Sequence, residues 1–223
     1  MLDRYAADPA VRAATFVVLD FEGATPAGYP AEPTEVGAVL LRLRQEPAGH
    51  WDLAEAGRFE SLIRPPDHAP VTAFDTRQTG ITAAMVAGQA DAATVLARFD
   101  ATLTRPPYVT VAHHARTEAG ILRRYATACP ALAAAPMLDT LRLARHAHPG
   151  LANYQLDTLL AQLGVPTPPD RHRALPDAVV TAAVLQALLA DGARRLRWAT
   201  LAQLQALAGL APPHLAAEQA TLF

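Results

Sequence analysis

The order of strand-like and helix-like segments constrains the fold of this chain most. Apolar runs occur in succession at residues 16–20, 35–44 and 58–64. Two further strand-like runs, at residues 108–112 and 136–139, alternate with segments of helical spacing. Successive strands favour an antiparallel meander, whereas alternation with helices favours an α/β arrangement. We therefore predict an α/β protein with a mixed five-stranded sheet, in which three antiparallel strands precede two parallel ones and helices flank the sheet.

Helical spacing dominates the chain after the third predicted strand. Gly164 follows one such segment in the position that commonly ends a helix, and Pro176 stands where the first turn of a later helix is expected to begin. We predict one domain over residues 1–190, followed by a C-terminal extension over residues 191–223 that is helical and then flexible. The predicted helices cover residues 90–103, 115–128, 140–146, 155–163, 177–189 and 201–207.

Composition narrows the class of protein. A chain of 223 residues with 51% hydrophobic and 18% charged residues is typical of a soluble globular protein with one substantial core. A net charge of −2 argues against non-specific wrapping of nucleic acid by a basic surface. The longest apolar segment, residues 178–190, is too short to span a bilayer and is interpreted as a core helix. No signal peptide is recognised at the N-terminus, so we expect a cytoplasmic protein without a membrane partner.

Two acidic residues end the first predicted strand. Asp20 and Glu22 are two residues apart, so their side chains point to the same side of the sheet. Holding two carboxylates together is costly because their charges repel and each loses hydration. Hard divalent cations such as Mg²⁺ and Mn²⁺ prefer oxygen ligands of this kind. The pair therefore suggests a cation site, although such a short pattern also arises by chance.

Two further acids stand at predicted helix N-termini. Glu118 follows the fourth strand and opens the next helix, and Asp177 begins the long apolar helix. The helix dipole favours negative charge at both positions, so helix capping is an alternative explanation for each. His146 and His148 belong to no motif and are predicted to face solvent.

Taken together, these segments resemble the DnaQ-like 3′–5′ exonucleases, the DEDDh branch of the ribonuclease H-like superfamily. The first family motif, D-x-E at a strand end, is matched by Asp20 and Glu22. The second is matched in position by the segment from His113 to Glu118, and the third, H-x₄-D, by His172 and Asp177. The resemblance covers roughly residues 14–190, and three motifs in the right order are far more specific than any one of them.

The resemblance implies a ribonuclease H-like fold and a two-metal phosphodiester hydrolase. The family binds two Mg²⁺ or Mn²⁺ ions per active site, about 3.5–4 Å apart, and uses a histidine to deprotonate the attacking water. It also implies a 3′–5′ exonuclease that releases nucleoside monophosphates from single-stranded or frayed DNA 3′ ends, in proofreading or repair. The residues carried over are Asp20, Glu22, Glu118 and Asp177 as metal ligands, His172 as the base, and Phe21, Gly23 and His114 as substrate contacts.

Four parts of the chain depart from the family pattern, and one of them is Thr117, which stands where the family usually has an aromatic residue. Glu118 stands where the family usually has aspartate, His114 replaces the usual asparagine, and Gly23-Ala24-Thr25 replaces a threonine-rich segment that holds the terminal nucleotide. Two alternatives therefore stay open. One is an exoribonuclease that trims RNA 3′ ends, and the other is a module that binds nucleic acid or a clamp but has lost efficient catalysis.

The last five residues resemble the pentapeptide with which bacterial proteins bind the sliding clamp. Gln219 is the first residue of this segment, and Leu222 and Phe223 are the last two. A flexible tail would insert the two apolar side chains into a preformed pocket of the clamp. The alternative is that Leu222 and Phe223 fold back onto their own domain.

Overall fold

The protein forms a twisted five-stranded sheet covered by helices on both faces. The structure is a computed structural model that describes residues 2–167, 172–195 and 198–210. The strand order is β3-β2-β1-β4-β5; β2 runs antiparallel to both β1 and β3, and β4 runs parallel to both β1 and β5. The prediction of a mixed five-stranded sheet is confirmed. The strands are β1 (Thr15–Ala24), β2 (Glu32–Gln45), β3 (Trp51–Leu62), β4 (Tyr108–Ala112) and β5 (Met137–Asp139).

The third strand is longer than the sequence predicts. It begins at Trp51, opposite Gln45, and pairs with β2 as far as Leu62. Only Leu53 is buried along its length, because β3 lies at the edge of the sheet. Its first half therefore carries little of the apolar signal by which strands are recognised.

Ten α-helices and one short 3₁₀-helix, Tyr5–Ala7, occur within the described residues. The helix predicted at residues 115–128 is shorter, and Pro130 begins a separate helix. The long helix begins at Ala174, before Pro176, which is tolerated because N–H groups in the first turn have no partner within a helix. The helices are α1 (Pro9–Ala13), α2 (Ala73–Thr79), α3 (Ala83–Ala87), α4 (Ala92–Thr102), α5 (Arg116–Arg124), α6 (Pro130–Ala134), α7 (Thr140–Ala147), α8 (Leu156–Leu163), α9 (Ala174–Arg194) and α10 (Leu201–Ala208).

The central strand β1 divides the core into two layers. Phe16 and Val18 pack into the layer that contains α7, α8, α9 and α10, whereas Val17 and Leu19 pack into the layer that contains α4, α5 and α6. This alternation follows from the two-residue period of a strand. Since β1 is buried on both faces, its carboxyl end is held rigidly, and that end carries Asp20 and Glu22.

Helix α9 is the main core helix of the first layer. It has 21 residues and is apolar enough to cross a membrane on length and composition, so the prediction that this segment is too short was wrong. Its contacts with β1 and β2 and the burial of 61% of its most apolar window support the interpretation as a core helix.

The C-terminal part that the structure describes joins the same core. Trp198 and Leu204 are buried with the residues of α9, and Leu210 N–H donates to the Met137 carbonyl of β5. The division at residue 190 stays a prediction. The tail residues Gln219, Leu222 and Phe223 lie outside the described residues.

The prediction that His148 faces solvent was wrong. His146 is exposed as expected, but His148 is largely buried, with Nε2 2.9 Å from Asp191 Oδ2 of α9.

Candidate active site

Three of the four predicted metal ligands come together at the carboxyl end of β1. One carboxylate oxygen from each of Asp20, Glu22 and Asp177 lies within 4.8 Å of the other two. Asp20 and Glu22 are half-buried, while Asp177, in the first turn of α9, is only 7% exposed. Three carboxylates this close repel one another strongly unless protons or cations compensate their charge.

Gly37 allows α9 to approach the sheet. It lies directly opposite Asp20 in the β1–β2 ladder. A Cβ atom at Gly37 would lie 2.1 Å from the Leu175 nitrogen and 2.3 Å from the Ala174 carbonyl carbon. Only glycine fits such a close backbone approach. Because Gly37 has no side chain, α9 packs close to the sheet, and Asp177 in its first turn lies near Asp20 and Glu22.

A buried ion pair fixes the same junction. Glu35, the ladder partner of Glu22, has a side chain that is only 1% exposed. Arg173 Nε donates to both of its carboxylate oxygens at 3.1 and 3.0 Å, and Arg173 Nη2 also donates to Oε1. The Ala174 N–H donates to Glu35 Oε2 at 2.9 Å. The hydrogen bonds that Arg173 donates to Glu35 raise the pKa of its guanidinium, which stays charged. Glu35 thus ties the start of α9 to β2.

His172 immediately precedes this ion pair. Its side chain is exposed, and its backbone is left-handed with a φ of 66°. His114 has a φ of 60°, and these two are the non-glycine residues of the described chain with positive φ. Non-glycine residues with positive φ are uncommon and cluster at functional sites. Both histidines were singled out from the motifs.

Glu118 is buried beside the acidic trio of Asp20, Glu22 and Asp177. It is not among the residues whose carboxylate oxygens lie within 4.8 Å of one another. It lies in the first turn of α5 and is 6% exposed. Its pKa is raised to about 7, chiefly by burial; a backbone hydrogen bond lowers the pKa, and the negative charges of Asp139 and Glu22 raise it. Its Oε2 atom has no hydrogen-bond partner within the described residues. A buried carboxylate oxygen of this kind is costly and needs a proton or a cation.

The loop that leads to Glu118 is anchored on β5. Asp139, which is buried, accepts hydrogen bonds from the backbone N–H of His114 at 3.0 Å and of Leu141 at 2.9 Å. The His113 ring lies between Thr140 Oγ1 at 2.9 Å and the Tyr154 carbonyl oxygen at 3.0 Å. Because a carbonyl only accepts, His113 Nε2 carries the proton, and in the neutral ring Nδ1 accepts from Thr140. His113 is therefore an anchor of the loop.

The predicted substrate contacts have different surroundings. His114 is exposed next to the anchored loop. Phe21 is 8% exposed and packs in the second core layer. Gly23 lies at a register shift in β1, where a Cβ atom would come 2.8 Å from the Glu32 carbonyl oxygen. Their contact with substrate stays a prediction.

Sequence reasoning gave no role to Glu35, Arg173 or Asp139. One signal was available for Glu35, because a glutamate inside an otherwise apolar strand needs a buried partner. The partner itself, 138 residues away, leaves no such signal.

The acidic residues fit a divalent metal site. Asp20, Glu22 and Asp177 supply converging oxygen ligands, and Glu118 adds a buried oxygen without a hydrogen-bond partner among the described residues. Hard cations such as Mg²⁺ and Mn²⁺ prefer such ligands, and their charge offsets the repulsion among the carboxylates.

Comparison with known proteins places the chain among nucleases. The family model for RNase T exonucleases matches residues 17–185. The chain is 30% identical over 174 residues to the PolC-type DNA polymerase III of Caldanaerobacter subterraneus subsp. tengcongensis, covering 78% of this chain and 11% of that protein. It therefore spans about a tenth of the length of this relative.

Two solved structures share the fold. Exonuclease X in complex with 5′ overhanging duplex DNA has a TM-score of 0.60 at 24% identity, over 86% of this chain and 98% of that one. The nuclease domain of 3′hExo, a DEDDh family member bound to rAMP, has a TM-score of 0.66 at 19% identity, over 83% and 95%. At these identities the likeness shows a common exonuclease fold.

Proposed function

Since the chain belongs to the RNase T family of exonucleases, the DnaQ-like phosphodiester hydrolases of the DEDDh group, we propose that it is a metal-dependent 3′–5′ exonuclease acting on DNA. It removes nucleoside monophosphates from single-stranded or frayed 3′ ends, in proofreading or repair. The observation that carries this proposal is the convergence of Asp20, Glu22 and Asp177 at the end of the central strand.

The four acids have the role of metal ligands. Asp20, Glu22 and Asp177 hold two Mg²⁺ or Mn²⁺ ions, and Glu118 contributes the oxygen that lacks a hydrogen-bond partner in the described part of the chain. When bound, two such ions stabilise the charge on the attacking and leaving oxygens of a phosphodiester displacement. The buried sheet end holds the ligands before substrate arrives, so little reorganisation accompanies the reaction.

His172 has the role of general base. A ring nitrogen of its exposed imidazole can accept the proton of the attacking water. Its neighbour Arg173 is fixed on Glu35, which limits the region that the His172 side chain can reach. Phe21, Gly23 and His114 line the path of the terminal nucleotide in this proposal.

Relatives favour DNA over RNA as the substrate. PolC-type proteins are DNA polymerases by name, and exonuclease X was solved with duplex DNA. The rival substrate is RNA, because the fold is also that of a nuclease domain solved with rAMP.

Matched oligonucleotides decide between the two substrates. DNA and RNA strands of identical sequence, labelled at the 5′ end, are incubated with the protein and Mg²⁺ or Mn²⁺, and shortening is followed by gel electrophoresis. We expect faster shortening of DNA. Preferential shortening of RNA would establish the exoribonuclease alternative, and no shortening of either strand would favour a non-catalytic binding module.

Binding of the C-terminal tail to a bacterial sliding clamp is a separate proposal. It depends on Gln219, Leu222 and Phe223, which lie outside the described residues. We expect Leu222→Ala with Phe223→Ala to abolish clamp binding in surface plasmon resonance without slowing hydrolysis of a short oligonucleotide. Undiminished clamp binding by the double variant would overturn the proposal.

A further inference from the structure

A basic cavity lies at the opposite end of the sheet from the acidic residues. Its volume is about 270 Å³, and Thr15, the first residue of β1, forms part of its wall. Asp20 and Glu22 are five and seven residues further along the same strand. At about 3.3 Å per residue, the two ends are roughly 17–23 Å apart. The cavity is therefore distinct from the candidate active site.

The wall of the cavity is rich in hydrogen-bond donors and positive charge. Arg42 and Arg44 lie two apart on β2, so both project from the same face of the sheet. Thr15 lies opposite Arg42 in one ladder and opposite Tyr108 in the other. None of the described residues that line the cavity is acidic. Its polar lining consists of Arg42, Arg44, Arg105, Tyr108 and three threonines.

Arg42 is held in place by a neutral partner. Its Nη1 donates to Thr15 Oγ1 at 2.6 Å, and Thr15 Oγ1 donates in turn to the Arg105 carbonyl oxygen at 2.7 Å. Thr15 is buried and Arg42 is half-buried, so the guanidinium has lost part of its hydration. A hydroxyl oxygen compensates this loss less well than a carboxylate does.

Several arginines elsewhere in the fold have acidic partners. Arg173 pairs with Glu35, Arg58 with Glu55 and Arg194 with Asp191. Within the described chain, Arg42, Arg44 and Arg105 form no such ion pair. The guanidinium of Arg42 is partly buried and is held by a hydroxyl group. Two further arginines without acidic partners in the described part of the chain line the same cavity. A bound anion would supply the negative charge that these three arginines lack.

We propose that this cavity binds a small phosphorylated anion of the size of pyrophosphate or a nucleoside monophosphate. Guanidinium groups match phosphate oxygens with parallel N–H donors, and threonine hydroxyls add further donors. The cavity volume of about 270 Å³ is slightly below the usual range for small-molecule sites, about 300–1,000 Å³, which restricts the site to a small ligand. The half-buried Tyr108 ring offers a surface against which a base can stack.

Calorimetric titration tests the site without interference from metals. The full chain, in buffer treated with a chelating resin, is titrated separately with inorganic phosphate, pyrophosphate and AMP. Binding of pyrophosphate or AMP is expected, and Arg42→Gln with Arg105→Gln should weaken it at least tenfold. The matched control is Arg98→Gln, which removes an exposed arginine of α4 outside the cavity. Tighter binding of AMP than of pyrophosphate identifies a nucleotide site, and the reverse identifies a polyphosphate site.

A second variant guards against loss of folding. Arg44→Gln with Arg105→Gln leaves the Arg42–Thr15 hydrogen bond intact and should also weaken binding by about tenfold or more, with circular dichroism unchanged. Three results would overturn the proposal: no binding of pyrophosphate or AMP at millimolar concentration, equal binding by the arginine variants and the control, or loss of binding in Asp20→Asn instead. Exonuclease activity is not needed for any of these measurements.

Discussion

Arg173 holds the buried carboxylate of Glu35 through three hydrogen bonds, one residue after His172 and four residues before Asp177. The pair joins two segments that the chain separates by 138 residues. Glu35 lies beside Glu22 in the sheet, so the contact connects the acids of β1 with the helix that carries the remaining one. Together with Gly37, it determines where α9 begins relative to the metal ligands.

Breaking this pair should destabilise the protein strongly. We expect Glu35→Ala to lower the free energy of unfolding by roughly 3–5 kcal/mol, because it leaves the guanidinium without its buried partner. Urea unfolding measures the effect. The matched control is Glu55→Ala, which removes the exposed partner of Arg58 and should cost less than about 1 kcal/mol. Equal effects for the two variants would contradict the assigned role of Glu35.

Gly37 and Gly57 offer a second matched comparison. We expect Gly37→Ala to lower the free energy of unfolding by about 1–3 kcal/mol or more and to weaken Mn²⁺ binding, because the new methyl group pushes α9 away from β1. Gly57→Ala on β3 meets no heavy atom within 4 Å and should change neither quantity appreciably. Thermal unfolding with and without Mn²⁺ measures both. Unchanged metal binding in Gly37→Ala would show that the close approach does not position Asp177.

Glu118 should give the metal-free protein a distinct pH dependence. Its folded-state pKa of about 7 lies above the ordinary value of 4.5, so the folded state holds the proton more tightly than the unfolded state. The resulting contribution to the free energy of unfolding is fully present below pH 4.5 and is lost as the pH rises to about 7. The loss is at most about 3 kcal/mol. In Glu118→Gln this part of the slope should disappear.

Urea unfolding of both proteins between pH 4.5 and 7.5 tests the assignment. Histidines titrate in the same range, but they contribute equally to the two proteins and cancel in the difference. Parallel pH profiles for wild type and Glu118→Gln would mean that the carboxylate is not buried as described.

Divalent metals should stabilise the folded protein. A ligand at one hundred times its dissociation constant adds about 2.7 kcal/mol to the free energy of unfolding. We expect Mn²⁺ to raise the melting temperature of the wild type and to have little effect on Asp177→Asn. Asp67→Asn, which changes an exposed aspartate outside the trio, should behave like the wild type. An undiminished shift in Asp177→Asn would place the metal elsewhere.

The central strands could be predicted because their signals are local. β1 is buried on both faces, so its apolar run is continuous, and the acids that follow it stand out. The edge strand β3 begins seven residues before its predicted start at residue 58, because exposed positions interrupt its apolar pattern. The same limit applies to His148, whose burial depends on Asp191, 43 positions away in the chain.

Some residues of the candidate site could also be predicted from local sequence, whereas others depend on contacts between distant segments. Asp20, Glu22 and Asp177 belong to short motifs whose spacing and order survive in the sequence, and the structure brings them together. The ion pair between Glu35 and Arg173 depends on how β2 and α9 pack, and neither residue reveals its partner alone. Thr15 and Arg42, which are hydrogen-bonded to each other in the wall of the basic cavity, come together through the register of the sheet.

The most direct test of the account is the release of mononucleotides from a DNA strand labelled once at its 3′ end. With Mn²⁺, the wild-type protein should release the label as a nucleoside monophosphate before any internal cleavage product appears. Chelation of the metal or the substitution Asp20→Asn should reduce the initial rate by at least a hundredfold, while Asp67→Asn leaves it unchanged. Release from the 5′ end first, or a rate unaffected by both Asp20→Asn and chelation, would contradict a metal-dependent 3′–5′ exonuclease.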